Sequence, residues 1–365
     1  MARGPPVAVR VLSQDDAIEC GVTDMPACVD TMHDVFDLYD QGRVLMGANG
    51  EHIHGMVTSF PGGLETSEDF EPGPDRRFSA MPAYVGGDVH TMGIKWYGSN
   101  VANAERGLPR SIHTIILNDP TSCQPYCLMD GQVESAMRTG AVAGLGAASV
   151  QGGRATTATI VGPGVIGQTA ARGLDTALEA LERLVVYHPE QWKAAAFQET
   201  MADEIDADIV PADDLEAAVT DTDVIVAAAS ADEPPRIEPE WLSDDVLVVA
   251  LGDIDIPQRA FDDNRLFCDV PQNAIEFADQ VGWLAYERLQ SAVAAGRIDR
   301  EDLRGLAAIV GGSDAAATAG RSMLYAPGLP MEDVAWAKAV YERAAEAGVG
   351  ETIELFSESA LDKPY

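Results

Sequence analysis

The chain has 365 residues, 46% of them hydrophobic, and a formal net charge of −35 at pH 7. That length favours two domains over a single core, the acidity excludes a nucleic-acid partner, which needs clustered Lys and Arg, and no run reaches the roughly 18 apolar residues of a membrane span. Lysine is confined to Lys95, Lys193, Lys338 and Lys363 while acids are spread throughout, the surface expected of a folded protein adapted to high salt, where screening relieves self-repulsion.

The opening Met1-Ala2-Arg3-Gly4-Pro5-Pro6 lacks an apolar secretory core, so a cytoplasmic location is expected. Cys20, Cys28, Cys123, Cys127 and Cys268 form no metal-binding spacing and are expected to be buried free thiols.

In chain order, residues 7–135 read as strand-rich and broken by turn clusters: Phe60-Pro61-Gly62-Gly63, Glu71-Pro72-Gly73-Pro74 and Val85-Gly86-Gly87. Residues 114–117 and 125–129 predict a hairpin around Asn118-Asp119-Pro120. Residues 133–150 predict a helix of small residues, whose Gly140, Gly144 and Gly146 cost helix propensity and so imply close packing. From 157 to 270 short apolar runs (158–161, 184–187, 208–210, 224–228, 246–251 and 266–270) alternate with helical patterns such as 169–181 and 192–201. Continuous apolar strands in a βα rhythm predict a parallel, doubly wound sheet. Residues 333–348 predict an amphipathic helix that packs back on the first domain.

The run Thr157-Ala158-Thr159-Ile160-Val161 feeds directly into Gly162-Pro163-Gly164-Val165-Ile166-Gly167. A G-x-G-x-x-G between a strand and a helix is a dinucleotide site. Its first Gly makes the turn, the second lets the pyrophosphate approach, the third lets helix and strand touch, and the helix N-terminus offers its N–H groups. The next strand ends at Tyr187-His188-Pro189, where many NAD sites carry an acid for the ribose. His188 is the ribose candidate; Glu190 could substitute, and Lys193 could face a 2′-phosphate, so NAD and NADP both stay open.

Lys95 lies in a strand-like apolar setting and Arg138 in the small-residue helix. A buried cation needs a partner, and a substrate carboxylate would supply one, held bidentately by the Arg. An internal ion pair is the alternative.

Met81-Pro82-Ala83, Gly93-x-Lys95-Trp96, Asn103, Gly107-Leu108-Pro109, Leu117-Asn118-Asp119, Asp130-Gly131, Arg138-Thr139 and the mid-chain fingerprint occur in an order that resembles the ornithine cyclodeaminase/μ-crystallin family. Pro327-Gly328-Leu329, Glu332-Asp333-Val334 and Val340-Tyr341 resemble its closing segment. The resemblance implies a strand-rich α+β domain for substrate binding and homodimerisation (1–150 with 330–365) beside a Rossmann domain (151–329). It implies an NAD- or NADP-dependent enzyme acting on a small α-amino acid, with cyclodeaminase-like chemistry first: hydride abstraction, imine formation and loss of ammonia. An amino-acid dehydrogenase or ketimine reductase is the next reading, and a non-catalytic ligand-binding or accessory subunit a third.

By the same resemblance Lys95 and Arg138 bind the substrate carboxylate, with Lys95 also catalytic, and Thr139 joins the fingerprint at the cofactor. The family's catalytic Asp follows the fifth strand, which makes Asp253 the first choice and Asp255 a second, substrate-binding candidate. At 47–54 this chain offers His and Asn where many members place a substrate-contacting Arg, and Ile166-Gly167 stands where many carry Gln-Ala.

Overall fold

The computed structural model describes residues 6–47, 54–60, 76–230, 233–261, 265–314 and 319–357. The first six residues apart from Pro6, Lys363, the 71–74 turn cluster and most of the 47–54 and 60–63 stretches lie outside them.

The chain begins with β1 (Val7–Leu12), α1 (Gln14–Glu19) and α2 (Met25–Asp40), then β2 (Val44–Met46), β3 (Met56–Ser59), β4 (Arg77–Val85), β5 (Thr91–Ser99), β6 (Ser111–Asn118) and β7 (Pro125–Asp130). The long α3 (Gln132–Gln151) leads to β8 (Thr157–Val161), α4 (Val165–Ala177), β9 (Arg183–Tyr187), α5 (Gln191–Met201), β10 (Asp208–Ala212), α6 (Leu215–Val219), β11 (Val224–Ala227) and β12 (Leu247–Ala250). There follow β13 (Leu266–Cys268), α7 (Pro271–Glu276), α8 (Ala278–Val281), α9 (Leu284–Ala294), β14 (Arg304–Gly305), α10 (Leu306–Val310), β15 (Ser322–Tyr325), α11 (Pro330–Ala347) and β16 (Glu351–Phe356). Among the described residues no helix is long and apolar enough to cross a membrane.

Two sheets organise these elements. The first runs β16-β1-β7-β6-β5-β4-β2, with β3 also on β4, and is antiparallel except where β1 meets β7. Its strands alternate as a one-sided sheet should: Ser79, Met81, Ala83 and Val85 of β4 are buried while Phe78 is exposed. The expected hairpin is β6–β7. The expected tail helix is α11, whose Val334, Trp336 and Val340 are buried and which packs on β4, β5 and β6 of this sheet.

The second sheet is wholly parallel, in the order β10-β9-β8-β11-β12-β15-β13-β14. Strands β11, β12 and β15 are buried on both faces, which is why they read as continuous apolar runs. Strand order reverses between β8 and β11, and a doubly wound sheet binds its ligand at that switch point.

Helix α3 joins the two halves. A side chain at Gly140 would meet the Thr169 carbonyl oxygen at 2.2 Å, and one at Gly144 the Gly173 oxygen at 2.0 Å. The glycines that weaken α3 as an isolated helix are therefore what let it lie against α4.

Two expectations are corrected, and the strand order adds a feature that residue order does not show. The 16-residue α2 stands in a region expected to be mainly strand; its marks are Asp24, which caps Ala27 N, and Pro26 in the first turn. Strand β15 inserts between β12 and β13 although β13 comes first in the chain. Cys20, Cys28, Cys127 and Cys268 are buried and free, but Cys123 is exposed, because it occupies a left-handed turn position (φ 62°) in the β6–β7 loop.

Candidate active site

The glycine turn follows β8. Gly162 has φ 103°, open to few residues but Gly. A Cβ on Gly167 would lie 2.2 Å from the Gly162 carbonyl oxygen, so the third glycine is a packing requirement. Gly164 differs: a Cβ there would meet nothing within 4 Å. The space in front of Gly164 belongs to a cleft of about 940 Å³, lined among others by Gly162, Pro163, Gly164, His188, Trp192 and Ser230. A turn that opens onto a cleft where a helix begins fits a dinucleotide pyrophosphate. Val165 is exposed, and Val165, Ile166, Gly167 and Thr139 are not among the cleft's lining residues; the Thr139 hydroxyl donates to the Ser135 carbonyl in its own helix.

At the end of β9, His188 Nδ1 accepts from Glu190 N at 2.9 Å, and Lys193 Nζ lies 2.5 Å from Glu190 Oε2. Glu190 and Lys193, proposed from sequence as alternatives, are thus paired with each other at the rim. Burial and the nearby Lys193 cation lower the His188 pKa.

Lys95 projects inward from β5 and Arg138 from α3, and both are almost wholly buried. Lys95 Nζ donates to Asp333 Oδ1 at 2.8 Å and to Ser135 Oγ at 3.0 Å. Arg138 Nε donates to the same Asp333 oxygen at 2.8 Å, and its Nη1 to Glu332 Oε2 at 2.9 Å. The partner of these cations is therefore internal, supplied by the first turn of α11. Both cations keep unspent N–H donors. The acids keep unspent acceptors: Asp333 Oδ2, Glu332 Oε1 and both oxygens of Glu134 are buried with no partner among the described residues. Spare donors beside spare acceptors suit a zwitterion.

Burial pushes Glu332 up to about 7 despite the pull of Arg138, and drives Glu134 well above the carboxylate range. Asp333 moves the other way: Arg138 and Lys95 outweigh its burial and hold it below its ordinary value. Burial lowers Lys95, with the Arg138 charge adding to it.

Gly328 connects this cluster to the second sheet. It has φ 94°, and a Cβ there would lie 2.2 Å from Arg138 Nη1. Its carbonyl accepts from His54 Nδ1 at 2.8 Å, and its N–H donates to Asp269 Oδ2 at 3.1 Å. The His54 ring meets Phe277 edge-on at 5.0 Å, and Phe277 meets Trp283 at 5.5 Å.

Trp283 is the N-cap of α9, and Asp253 is tied to that helix. Asp253 Oδ1 accepts from Ile254 N at 2.9 Å and from Ala285 N at 3.3 Å, whereas Oδ2 has no partner among the described residues. Its neighbour Gly252 packs so closely on Ala229, a cleft residue, that a Cβ would lie 2.5 Å from the Ala229 oxygen. Cleft residue Ala229 thus packs on Gly252, next to Asp253; Asp253 accepts from Ala285, two residues past Trp283; and Trp283 leads through Phe277, His54 and Gly328 to Arg138, which shares Asp333 with Lys95.

Asp255, the second candidate, is held by two arginines. Its oxygens lie 3.2 Å from Arg236 Nη1 and 2.5 Å from Arg288 Nη2, and its backbone bridges to Arg236. It ties the strand end to its surroundings.

Sequence reasoning missed the roles of Glu332, Asp333, Glu134 and Asp269. A signal existed for two of them: Glu332-Asp333 lies in the first turn of the otherwise apolar face of α11, with three residues between it and Pro327-Gly328, and two buried cations lacked partners.

The sequence pattern of the Ornithine cyclodeaminase/mu-crystallin family matches residues 21–348. N-((2S)-2-amino-2-carboxyethyl)-L-glutamate dehydrogenase of Staphylococcus aureus is 27% identical over 296 residues, 77% of this chain and 82% of that protein. Alanine dehydrogenase of Archaeoglobus fulgidus is 27% identical over 79% of this chain and 86% of its own length. Among solved structures, the Delta(1)-pyrroline-2-carboxylate reductase of Thermococcus litoralis, in complex with NADH and L-proline, superposes with a TM-score of 0.79 at 22% identity, covering 94% of this chain and all of that one.

Proposed function

This chain belongs to the ornithine cyclodeaminase/mu-crystallin family, and on that premise we propose that it is an NAD- or NADP-dependent oxidoreductase of a small α-amino acid and its imine. The observation that carries this reading is that Asp253 follows Gly252, which packs on the glycine-turn cleft at Ala229, and is linked through α9, Phe277, His54 and Gly328 to the Lys95–Arg138 cluster. The 27% identical relatives, both dehydrogenases, support it.

Gly162, Pro163 and Gly164 hold the pyrophosphate, with the N-terminus of α4 behind it, and His188 faces the ribose. When bound, the nicotinamide supplies the acceptor for hydride from the substrate's α-carbon, or the donor in reverse. Lys95 and Arg138 take the α-carboxylate with their unspent N–H donors, which fixes the α-carbon. The unpartnered oxygens of Asp333 and Glu332 receive the α-ammonium. Asp253, its Oδ1 fixed by two backbone N–H groups, uses Oδ2 to take the amine proton as the C=N bond forms, and then orients the attacking water. Water addition and loss of ammonia complete the oxidation.

The family match favours a second reading, cyclodeamination, which shares every step up to the imine. There a side-chain amine attacks in place of water, and hydride returns to the product. An amino-acid panel with NAD and with NADP separates them, following nicotinamide absorbance and ammonia together. Net NADH or NADPH formation supports the oxidoreductase. Ammonia without net reduction supports the cyclodeaminase, and neither, with nucleotide bound, means a binding protein.

In the same reading residues 1–150 with 330–365 form the substrate and dimerisation domain and 151–329 the dinucleotide domain. The protein is a homodimer joined through the outer face of the first sheet, where Phe78, Trp96 and Ile112 are exposed side by side. It works in a salt-rich cytoplasm; its free cysteines suit a reducing compartment, and its melting temperature rises with added KCl.

A further inference from the structure

His54 is the described residue of the 47–54 stretch that reaches the cluster, and it is 5% exposed. Its Nδ1 lies 2.8 Å from a carbonyl oxygen, that of Gly328. A carbonyl only accepts, so Nδ1 carries the hydrogen. Burial holds the ring pKa down to about 3, and the cations Lys95 and Arg138 oppose protonation further. The ring is neutral at working pH, and Nε2 therefore presents a bare lone pair. No hydrogen bond joins it to a described residue. Phe277 packs against the ring and Gly328 holds its other end, so its direction is set by the fold.

We propose that His54 determines substrate specificity: Nε2 accepts a hydrogen bond from a neutral N–H or O–H group in the substrate's side chain, so that the site takes hydroxyl- or amide-bearing α-amino acids over their aliphatic isosteres and rejects those with a second carboxylate. The inference rests on the reading of Lys95 and Arg138 as ligands of the α-carboxylate. That pair takes the carboxylate, and the unpartnered acid oxygens beside it take the α-ammonium. What remains for His54, which joins Gly328 beside this cluster to Phe277, is the side chain. An aliphatic side chain would leave the lone pair without water or a donor, and a carboxylate would set lone pair against lone pair. A neutral acceptor also gives a buried side-chain ammonium no counter-charge. Because the imidazole does not hold a proton above about pH 3, its role is selection and not proton transfer.

Two isosteric pairs test this: homoserine against norvaline, and glutamine against glutamate. Each is measured as kcat/KM and as binding to the NADH-loaded protein by quenching of tryptophan fluorescence. His54→Asn keeps a donor where Nδ1 stands and removes the acceptor; His54→Gln returns an acceptor near Nε2. The native protein should favour homoserine and glutamine by about tenfold or more. His54→Asn should bring both ratios to within about twofold while NADH affinity and the pH profile hold, and His54→Gln should restore part of the preference. Unchanged ratios in His54→Asn, a native preference for norvaline or glutamate, or binding of no member of either pair would overturn the proposal. Should His54→Asn fail to fold, the native ratios and those of His54→Gln decide alone. Discrimination in binding without turnover would sink the oxidoreductase reading and leave His54 standing; turnover without discrimination would do the reverse.

Discussion

Lys95 Nζ and Asp333 Oδ1 lie 2.8 Å apart across 238 positions of sequence, and both side chains are buried. Arg138 shares that oxygen, so one carboxylate anchors both buried cations. Asp333→Asn removes the charge and keeps the shape, leaving two cations against a weaker partner. We expect a loss of about 3–5 kcal/mol, the scale for breaking a buried ion pair, seen as a lower denaturant midpoint. A variant as stable as the native protein would mean that the cluster is held by something else. Lys95→Met should lower kcat/KM by at least about a hundredfold, since it removes a substrate contact as well as the pair.

Asp253 and Asp255 sit two residues apart with different partners. Asp253→Asn keeps a side-chain oxygen for Ile254 N and Ala285 N but loses its basicity. Turnover should fall by about 10²–10⁴-fold with melting temperature and nucleotide affinity nearly unchanged. Asp255→Asn breaks contacts to Arg236 and Arg288 and should cost stability while retaining most activity. The opposite pattern would move the base to Asp255.

Glu332 predicts a pH dependence. Burial raises its pKa from 4.5 to about 7 in the folded protein, so the native state holds a proton that the unfolded chain has released. Its contribution to stability is full below about pH 4.5 and is lost as pH rises through about 7, up to about 3 kcal/mol. Ionisation also gives the α-ammonium of the substrate an anionic partner at Glu332, so the zwitterionic substrate should bind more tightly, with a lower KM, above pH 7. Glu332→Gln should flatten both profiles. A native KM that stays constant from pH 5.5 to 8.5 would count against it.

Gly164 separates binding from folding. A Cβ there meets no protein atom within 4 Å, and its φ of −76° suits any residue. Gly164→Ala should therefore leave the melting temperature within about 2 °C while weakening NADH binding about tenfold or more, because the methyl group takes the space of the pyrophosphate. Gly144→Ala makes the contrast: its Cβ would lie 2.0 Å from the Gly173 oxygen, and several kcal/mol of destabilisation are expected. Full nucleotide affinity in Gly164→Ala would remove the fingerprint from the site.

Trp96 stacks on Phe78 at 5.6 Å on the outer face of the first sheet, and both remain exposed in the single chain. Trp96→Asp puts a charge in the middle of that face. Sedimentation should show a dimer for the native protein and a monomer for the variant, with NADH binding retained. An unchanged dimer would place the interface elsewhere.

Much of this was legible from residue order because it is local physics. The continuous apolar runs of the second sheet follow from strands buried on both faces. The glycines of α3 announce close packing, since nothing else would keep them in a helix, and the structure gives Gly140 and Gly144 α4 and Gly146 the Leu324 side chain of β15. Lys95 and Arg138 stood out as cations in apolar surroundings. The charged partners did not, because Glu332 and Asp333 lie on the first turn of a helix, where acids are favourable for local reasons and attract no notice.

The sequence by itself determined the glycine turn after β8, the βα rhythm of the second sheet and the two cations that need partners, since each depends on the conformational and solvation preferences of nearby residues. Tertiary structure alone decided that β15 enters the sheet before β13, that Asp333 anchors both cations, that Asp255 belongs to two arginines while Asp253 Oδ2 has no partner among the described residues, and that Gly328 orients His54. These are contacts between residues far apart in the chain. They are fixed by burial and by the need to pair every desolvated charge, and those demands arise only once the two sheets have closed over them.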